Sequence, residues 1–134
     1  MKPLSVGDYC SVALDSGEVD CVVMLDGDGE PKQHPTGRKW HFWFEEVGKM
    51  RTLVPQNGTR FAKPAPVEFG KAGCQAATFK SGRLRVDQLP AGSHVCVQTR
   101  SGRYAELILN VPRVQVGRRG SSPNDLQISY IFFD

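Results

Sequence analysis

Val95-Cys96-Val97-Gln98-Thr99-Arg100-Ser101-Gly102-Arg103-Tyr104-Ala105-Glu106-Leu107 decides the fold class. Two runs of alternating apolar and polar residues, rich in β-branched side chains, flank a short turn. A three-residue loop, Arg100-Ser101-Gly102, with Gly102 in the left-handed region belongs to a known hairpin class. It sets Thr99 opposite Arg103, Val97 opposite Ala105 and Val95 opposite Leu107. All the apolar residues then share one face, as a half-buried antiparallel pair requires.

The same grammar extends outward in both directions. The chain ends in Leu126-Gln127-Ile128-Ser129-Tyr130-Ile131-Phe132-Phe133. So apolar a strand is expected to be paired on both sides rather than left at an edge. Upstream, Trp40-His41-Phe42-Trp43-Phe44 alternates aromatic bulk, which predicts Trp40, Phe42 and Phe44 in the core and Trp43 on the other face. Asn57-Gly58 is the strongest two-residue hairpin signal, because a type I′ turn needs positive φ at both positions. At the start of the chain, Cys10, Val12 and Leu14 alternate, as do Val19, Cys21 and Val23. With Asp15-Ser16-Gly17-Glu18 as the loop, Leu14 faces Val19, Val12 faces Cys21 and Cys10 faces Val23. Cys10 and Cys21 are then diagonal, about 7–8 Å apart, at or beyond the span of a disulfide.

Helical signals are few. Glu45-Glu46-Val47-Gly48-Lys49-Met50-Arg51 is the best candidate, and Gly48 weakens it. Ala62-Lys63-Pro64-Ala65-Pro66 reads as a loop or an edge, and Gly117 to Asn124 as a basic surface loop. The expectation is a single domain over residues 1–134, mostly β, a small β-barrel or β-sandwich of about eight to ten short antiparallel strands.

Of the 134 residues, 40% are hydrophobic and 23% charged, and the net charge is +3. That is an ordinary globular balance. No apolar run approaches the roughly 20 residues of a membrane-spanning helix. The N-terminal residues do not read as a leader, so the expected location is cytoplasmic. In that setting the four cysteines, none in a C-x-x-C pair, are expected to be reduced, buried thiols. The charge is unevenly spread: residues 1–30 carry −6 and residues 80–119 carry +6. Such asymmetry fits a basic face or two mutually attracting ends.

Motifs of chemistry are scarce. Asp26-Gly27-Asp28-Gly29-Glu30 alternates acids as calcium loops do, but Pro31 stands where the loop needs glycine and Gly37 where it needs glutamate. A solvated turn is expected there. His94 and Cys96 share a strand face, yet nothing in the spacing brings a third ligand, so no metal and no cofactor is expected. The adjacent Glu45 and Glu46 point to opposite faces of a strand, which is wrong for a cooperating acid and base. No nucleophile elbow, phosphate-binding glycine loop or H-E-x-x-H occurs. Basic loops remain: Lys80, Arg83 and Arg85 around one turn, Arg100 and Arg103 at another, and Arg118 and Arg119 in a glycine-rich segment. With Trp43 and Tyr104 as aromatic platforms, Arg100, Arg103, Arg118 and Arg119 form the candidate binding set, through phosphate contacts and base stacking.

Gly7-Asp8-Tyr9-Cys10-Ser11-Val12 with Leu14-Asp15-Ser16-Gly17 and Val22-Val23 resembles the opening hairpin of many small bacterial barrels. Val97 to Ala105, followed by Ile128-Ser129-Tyr130, resembles the closing strands of small uncharacterised bacterial β-rich proteins. This likeness covers the last third of the chain and implies a bacterial origin rather than an activity. The functional expectation is a non-catalytic interaction module that binds another macromolecule, first of all a protein. The alternatives are a nucleic-acid-binding barrel using the arginine loops, and a small hydrolase or nuclease.

Overall fold

The computed structural model describes residues 1–21, 37–112 and 125–133. The strands are β1 (Lys2–Val6), β2 (Ser11–Ala13), β3 (Glu18–Asp20), β4 (Phe42–Val47), β5 (Met50–Pro55) and β6 (Arg60–Ala62). One short helix, α1 (Gly70–Ala76), follows. Then come β7 (Phe79–Lys80), β8 (Leu84–Arg85), β9 (Ser93–Gln98), β10 (Tyr104–Val111) and β11 (Leu126–Phe133). They form two antiparallel sheets. The first has the order β1-β11-β10-β9-β6-β7 and the second β3-β2-β4-β5-β8. The fold is thus mostly β and sandwich-like. No closed barrel forms among the described residues, because each sheet ends in two edge strands.

The inner faces meet in one core. Val95, Val97, Ala105, Leu107, Leu109, Leu126, Ile128 and Tyr130 come from the first sheet. Val12, Phe42, Phe44 and Leu53 come from the second. The β9–β10 hairpin has the register read from the sequence, with Val97 opposite Ala105 and Val95 opposite Leu107. Gly102 has φ +83°, and the Thr99 amide donates to the Arg103 carbonyl at 2.8 Å. Strand β11 lies between β1 and β10 over Leu126–Tyr130, whereas Ile131–Phe133 pairs with β10 alone; there Phe132 packs on the main core, Phe133 on the cluster under α1, and Ile131 stays exposed. Trp40, Phe42 and Phe44 are buried and Trp43 is half-buried, as their alternation requires.

Four expectations are corrected. The Glu45–Arg51 segment is not helical. It is the hairpin of β4 and β5, Val47 opposite Met50, turned by Gly48 at φ +61°. A glycine at the first central position of a two-residue loop suits a hairpin turn and opposes a helix. The helix lies instead at Gly70–Ala76, where the sequence shows no apolar period; its one buried residue is Cys74, and it is held by the contacts described below. Asn57 and Gly58 have φ +54° and +77°, as a type I′ turn needs. Yet this turn does not close a hairpin: it carries the chain from β5 in one sheet to β6 in the other.

The fourth correction concerns the cysteines. Strands β2 and β3 pair Ser11 with Asp20, Val12 with Val19 and Ala13 with Glu18. The expected register is off by two residues. Alternation cannot detect such a slip, since moving by two returns every side chain to the same face. The loop is Leu14 to Gly17, closed by the Gly17 amide on the Ala13 carbonyl at 2.8 Å, with Gly17 at φ +75°. Continuing that register puts Cys10 directly opposite Cys21, and the two form a disulfide with Cα atoms 4.0 Å apart. Cys74 of α1 and Cys96 of β9 form a second, with Cα atoms 5.3 Å apart. No free cysteine remains. The thiol expectation, which followed from a cytoplasmic setting, is therefore overturned. Among the described residues no helix is long and apolar enough to cross a membrane.

Candidate functional site: the mouth between the sheet edges

At one side of the sandwich both sheets end in two-residue strands, β7 and β8. The residues 81–83 between them step from one sheet to the other. Beside this step opens a cavity of about 460 Å³, lined by Phe61, Thr78, Leu84, Lys63, Lys80 and Arg83 among others. A site of this size falls in the range of ligand-binding clefts, about 300–1,000 Å³.

Its chemistry follows from strand alternation. Phe61 is buried and packs edge-on against Phe42 at 5.9 Å, so its face of β6 is the core face. Lys80 is directly opposite Phe61 in register and therefore shares that face. Leu84 of β8 packs against the same core from the second sheet. Phe61 and Leu84 thus make an apolar floor, and three cations stand around it. Arg83 meets Glu45 of β4 at 3.1 Å and keeps its side chain 61% exposed. Lys63 and Lys80 are exposed, and neither meets an acid among the described residues. Phe79, the neighbour of Lys80, turns the other way and packs on Tyr104 at 5.8 Å under α1.

The sequence-derived binding set is only partly assembled. Arg100 and Arg103 flank the β9–β10 turn. The aliphatic part of Arg100 lies against Gly58, where an added Cβ would come within 3.1 Å. The Arg103 guanidinium lies 4.8 Å from the centre of the Phe132 ring. Tyr104 follows, on the outer face of the first sheet, where it accepts a hydrogen bond from Gln98 at 3.3 Å. Arg60 bonds the same Gln98. Trp43 alternates with the core residues Phe42 and Phe44 and so stands on the outer face of the second sheet, opposite Val54. Arg118, Arg119 and the Asp26–Glu30 segment lie outside the described residues. Of the mouth, the sequence reading noted Lys80 and Arg83 but missed Phe61, Lys63 and Leu84. Only the pairing of β6 with β7, and of β8 with β5 in the facing sheet, brings those together.

A second polar centre sits under α1. Glu106 is fully buried. Its Oε2 lies 2.7 Å from His94 Nδ1 and accepts from the Phe69 amide at 2.9 Å, while Oε1 accepts from the Gly70 amide at 3.0 Å. The Cys74–Cys96 disulfide joins the same helix to the same sheet. A histidine–carboxylate pair can orient a general base. Here, however, both carboxylate oxygens also hold the start of α1, and Cys96, directly opposite Glu106, is consumed in the disulfide. The centre clips α1 onto the first sheet. Cys96 in this state is no metal ligand, and no group of three or more metal-binding side chains occurs among the described residues.

Glu45 and Glu46 do face opposite ways. Glu45 meets Arg83, whereas Glu46 meets the buried Arg51, which also donates to the Val111 carbonyl at 3.3 Å. Burial raises the Glu46 carboxyl above its ordinary range, and Arg51 opposes that rise. Asp87 is held below its ordinary range by the two hydrogen bonds from Arg85, at 2.8 and 3.0 Å. This network ties β4, β5 and the end of β8 together behind the mouth.

Comparison with protein-family profiles, with curated proteins and with solved structures returned no match.

Proposed function

We propose that this chain is a non-catalytic interaction module that binds another protein, and that it does so at the mouth between β7 and β8. The observation that carries this reading is the apolar floor of Phe61 and Leu84 ringed by Lys63, Lys80 and Arg83, opening where both sheets end. An apolar centre with a polar rim is the usual anatomy of a protein-binding patch. The two disulfides favour work in an oxidising compartment rather than the cytoplasm, because reducing cytosol keeps such pairs open.

The test is site-specific photocrosslinking in the source cells. A photoreactive side chain at Ser81, beside the mouth, is expected to yield a discrete adduct with another polypeptide. The same side chain at Lys2, on the opposite edge strand of the first sheet, is expected to yield none. Equal adducts at both positions, or none at Ser81, would remove the reading.

Nucleic acid is the second reading, supported by Arg60 and Tyr104, which meet at Gln98 on the outer face of the first sheet, with Arg100 and Arg103 at the adjoining β9–β10 turn. Binding to oligonucleotides that falls steeply with salt, and that Arg100→Ser with Arg103→Ser abolishes, would put this reading first.

A further inference from the structure

We propose that the occupant of the mouth is an extended acidic segment of the partner protein. It adds as a strand to the outer edge of β7 and turns alternate apolar side chains inward. This rests on the reading above and names the chemistry of the partner.

Three observations support it. First, β7 is paired with β6 on one side only among the described residues, so its other side presents main-chain donors and acceptors. An added strand satisfies such groups, and its side chains supply specificity. Second, alternation fixes where those side chains go. Phe61 and Lys80 face inward on neighbouring strands, so every second residue of an added strand faces inward too, about 7 Å apart. A cavity of about 460 Å³ accommodates more than one such side chain. Third, the charge selects the partner. Lys80 stands on the inward face of the edge strand, and Lys63 is near it. A lysine in that position repels apolar or basic strands, and so guards against self-association. An acidic strand neutralises it instead. Glu45 compensates Arg83 alone, which leaves Lys63 and Lys80 for the incoming carboxylates.

The experiment is selection of a display library of short random peptides against the intact, disulfide-bonded chain. The expected consensus is acidic, with apolar residues at alternate positions. The best peptide is expected to lose about tenfold in affinity, ~1.4 kcal/mol, against Lys63→Glu with Lys80→Glu. A smaller loss is expected against Lys63→Gln with Lys80→Gln, and no change against Lys2→Glu. All three variants should keep the wild-type thermal transition. N-methylation of alternate backbone amides in the peptide should also weaken binding, because it blocks strand pairing. A neutral or basic consensus, no enrichment, or indifference to the lysine variants overturns the proposal. So does saturable binding of dodecanoate in place of any peptide, which would assign the mouth to a small amphiphile. If Ser81 still crosslinks to a polypeptide while the lysine variants change nothing, the protein-binding reading stands and the acidic-strand inference alone falls.

Discussion

Reduction of the two disulfides should remove a large part of the stability, and the size of the effect can be worked from the loops they close. Cys10 and Cys21 are 11 residues apart, and Cys74 and Cys96 are 22 apart. In the chain-entropy account these loops restrict the unfolded state by about 2.8 and about 3.4 kcal/mol at 25 °C. Together they contribute about 6 kcal/mol. A domain of 134 residues has a total of about 7–20 kcal/mol at ordinary stability per residue. With a urea dependence of about 2 kcal/mol per molar, full reduction should lower the midpoint by about 3 M. Cys10→Ser with Cys21→Ser, and Cys74→Ser with Cys96→Ser, should each give roughly half of that shift. Two assays apply: urea unfolding with and without reductant, and intact mass after alkylating the unfolded, unreduced chain. No cysteine should take up the label. Four labelled cysteines in freshly prepared protein, or a midpoint indifferent to reductant, would refute the pairing and restore the buried thiols.

The remaining predictions concern the core and its pH dependence. Phe42→Ala removes a fully buried ring that touches Phe61 and should destabilise by about 3–5 kcal/mol in chemical denaturation. Trp43→Ala, on the outer face, should cost clearly less; equal losses would show that both faces of β4 are sealed. His41 accepts the Leu14 amide on Nδ1 at 2.9 Å, and burial holds its pKa below the ordinary 6.5 despite the opposing pull of Asp15. The folded state therefore binds the proton less readily than the unfolded one. The stability from His41 should be fully present above about pH 6.5 and be lost as pH falls toward the folded pKa. Urea midpoints from about pH 7.5 downward should show this decline, and His41→Gln should flatten it. An unchanged slope in the variant would mean that the ring is protonated in the folded state.

How much of this was legible in the sequence depends on which interaction fixed each feature. The β9–β10 hairpin was readable because Gly102 marks the turn, and the turn selects one of the registers in which the apolar faces agree. The opening hairpin looked equally clear, but two registers two residues apart bury the same side chains. What separates them is where Gly17 can take positive φ, as the last loop residue, not the third. An added Cβ there would also come within 2.7 Å of the Tyr130 hydroxyl, a contact made by a strand more than a hundred residues away. No local pattern holds that information, and the disulfide followed from the register. Likewise, Asn57 and Gly58 announced their own dihedrals but not their destination. A type I′ turn says nothing about which sheet receives the next strand.

The mouth was hidden for a related reason, and the reason bears on what kind of site it is. Strands β7 and β8 are two residues each, too short to leave an alternating pattern. Lys80 reads as one loop cation among several until its partner is known. Once Phe61 is seen opposite it, the same lysine becomes a charge on the inward face of an edge strand. A charge there is one of the devices that keep an exposed edge from pairing with another chain indiscriminately. Arg83, an arginine of the same turn, shows the contrast: Glu45 answers it from within the fold. Arg85 is answered by Asp87. Lys63 and Lys80 stand at the rim without such an acid among the described residues. The cations that the fold neutralises internally brace the second sheet. The two it leaves at the mouth are the ones an acidic partner can use, and they are the residues whose reversal should separate binding from folding.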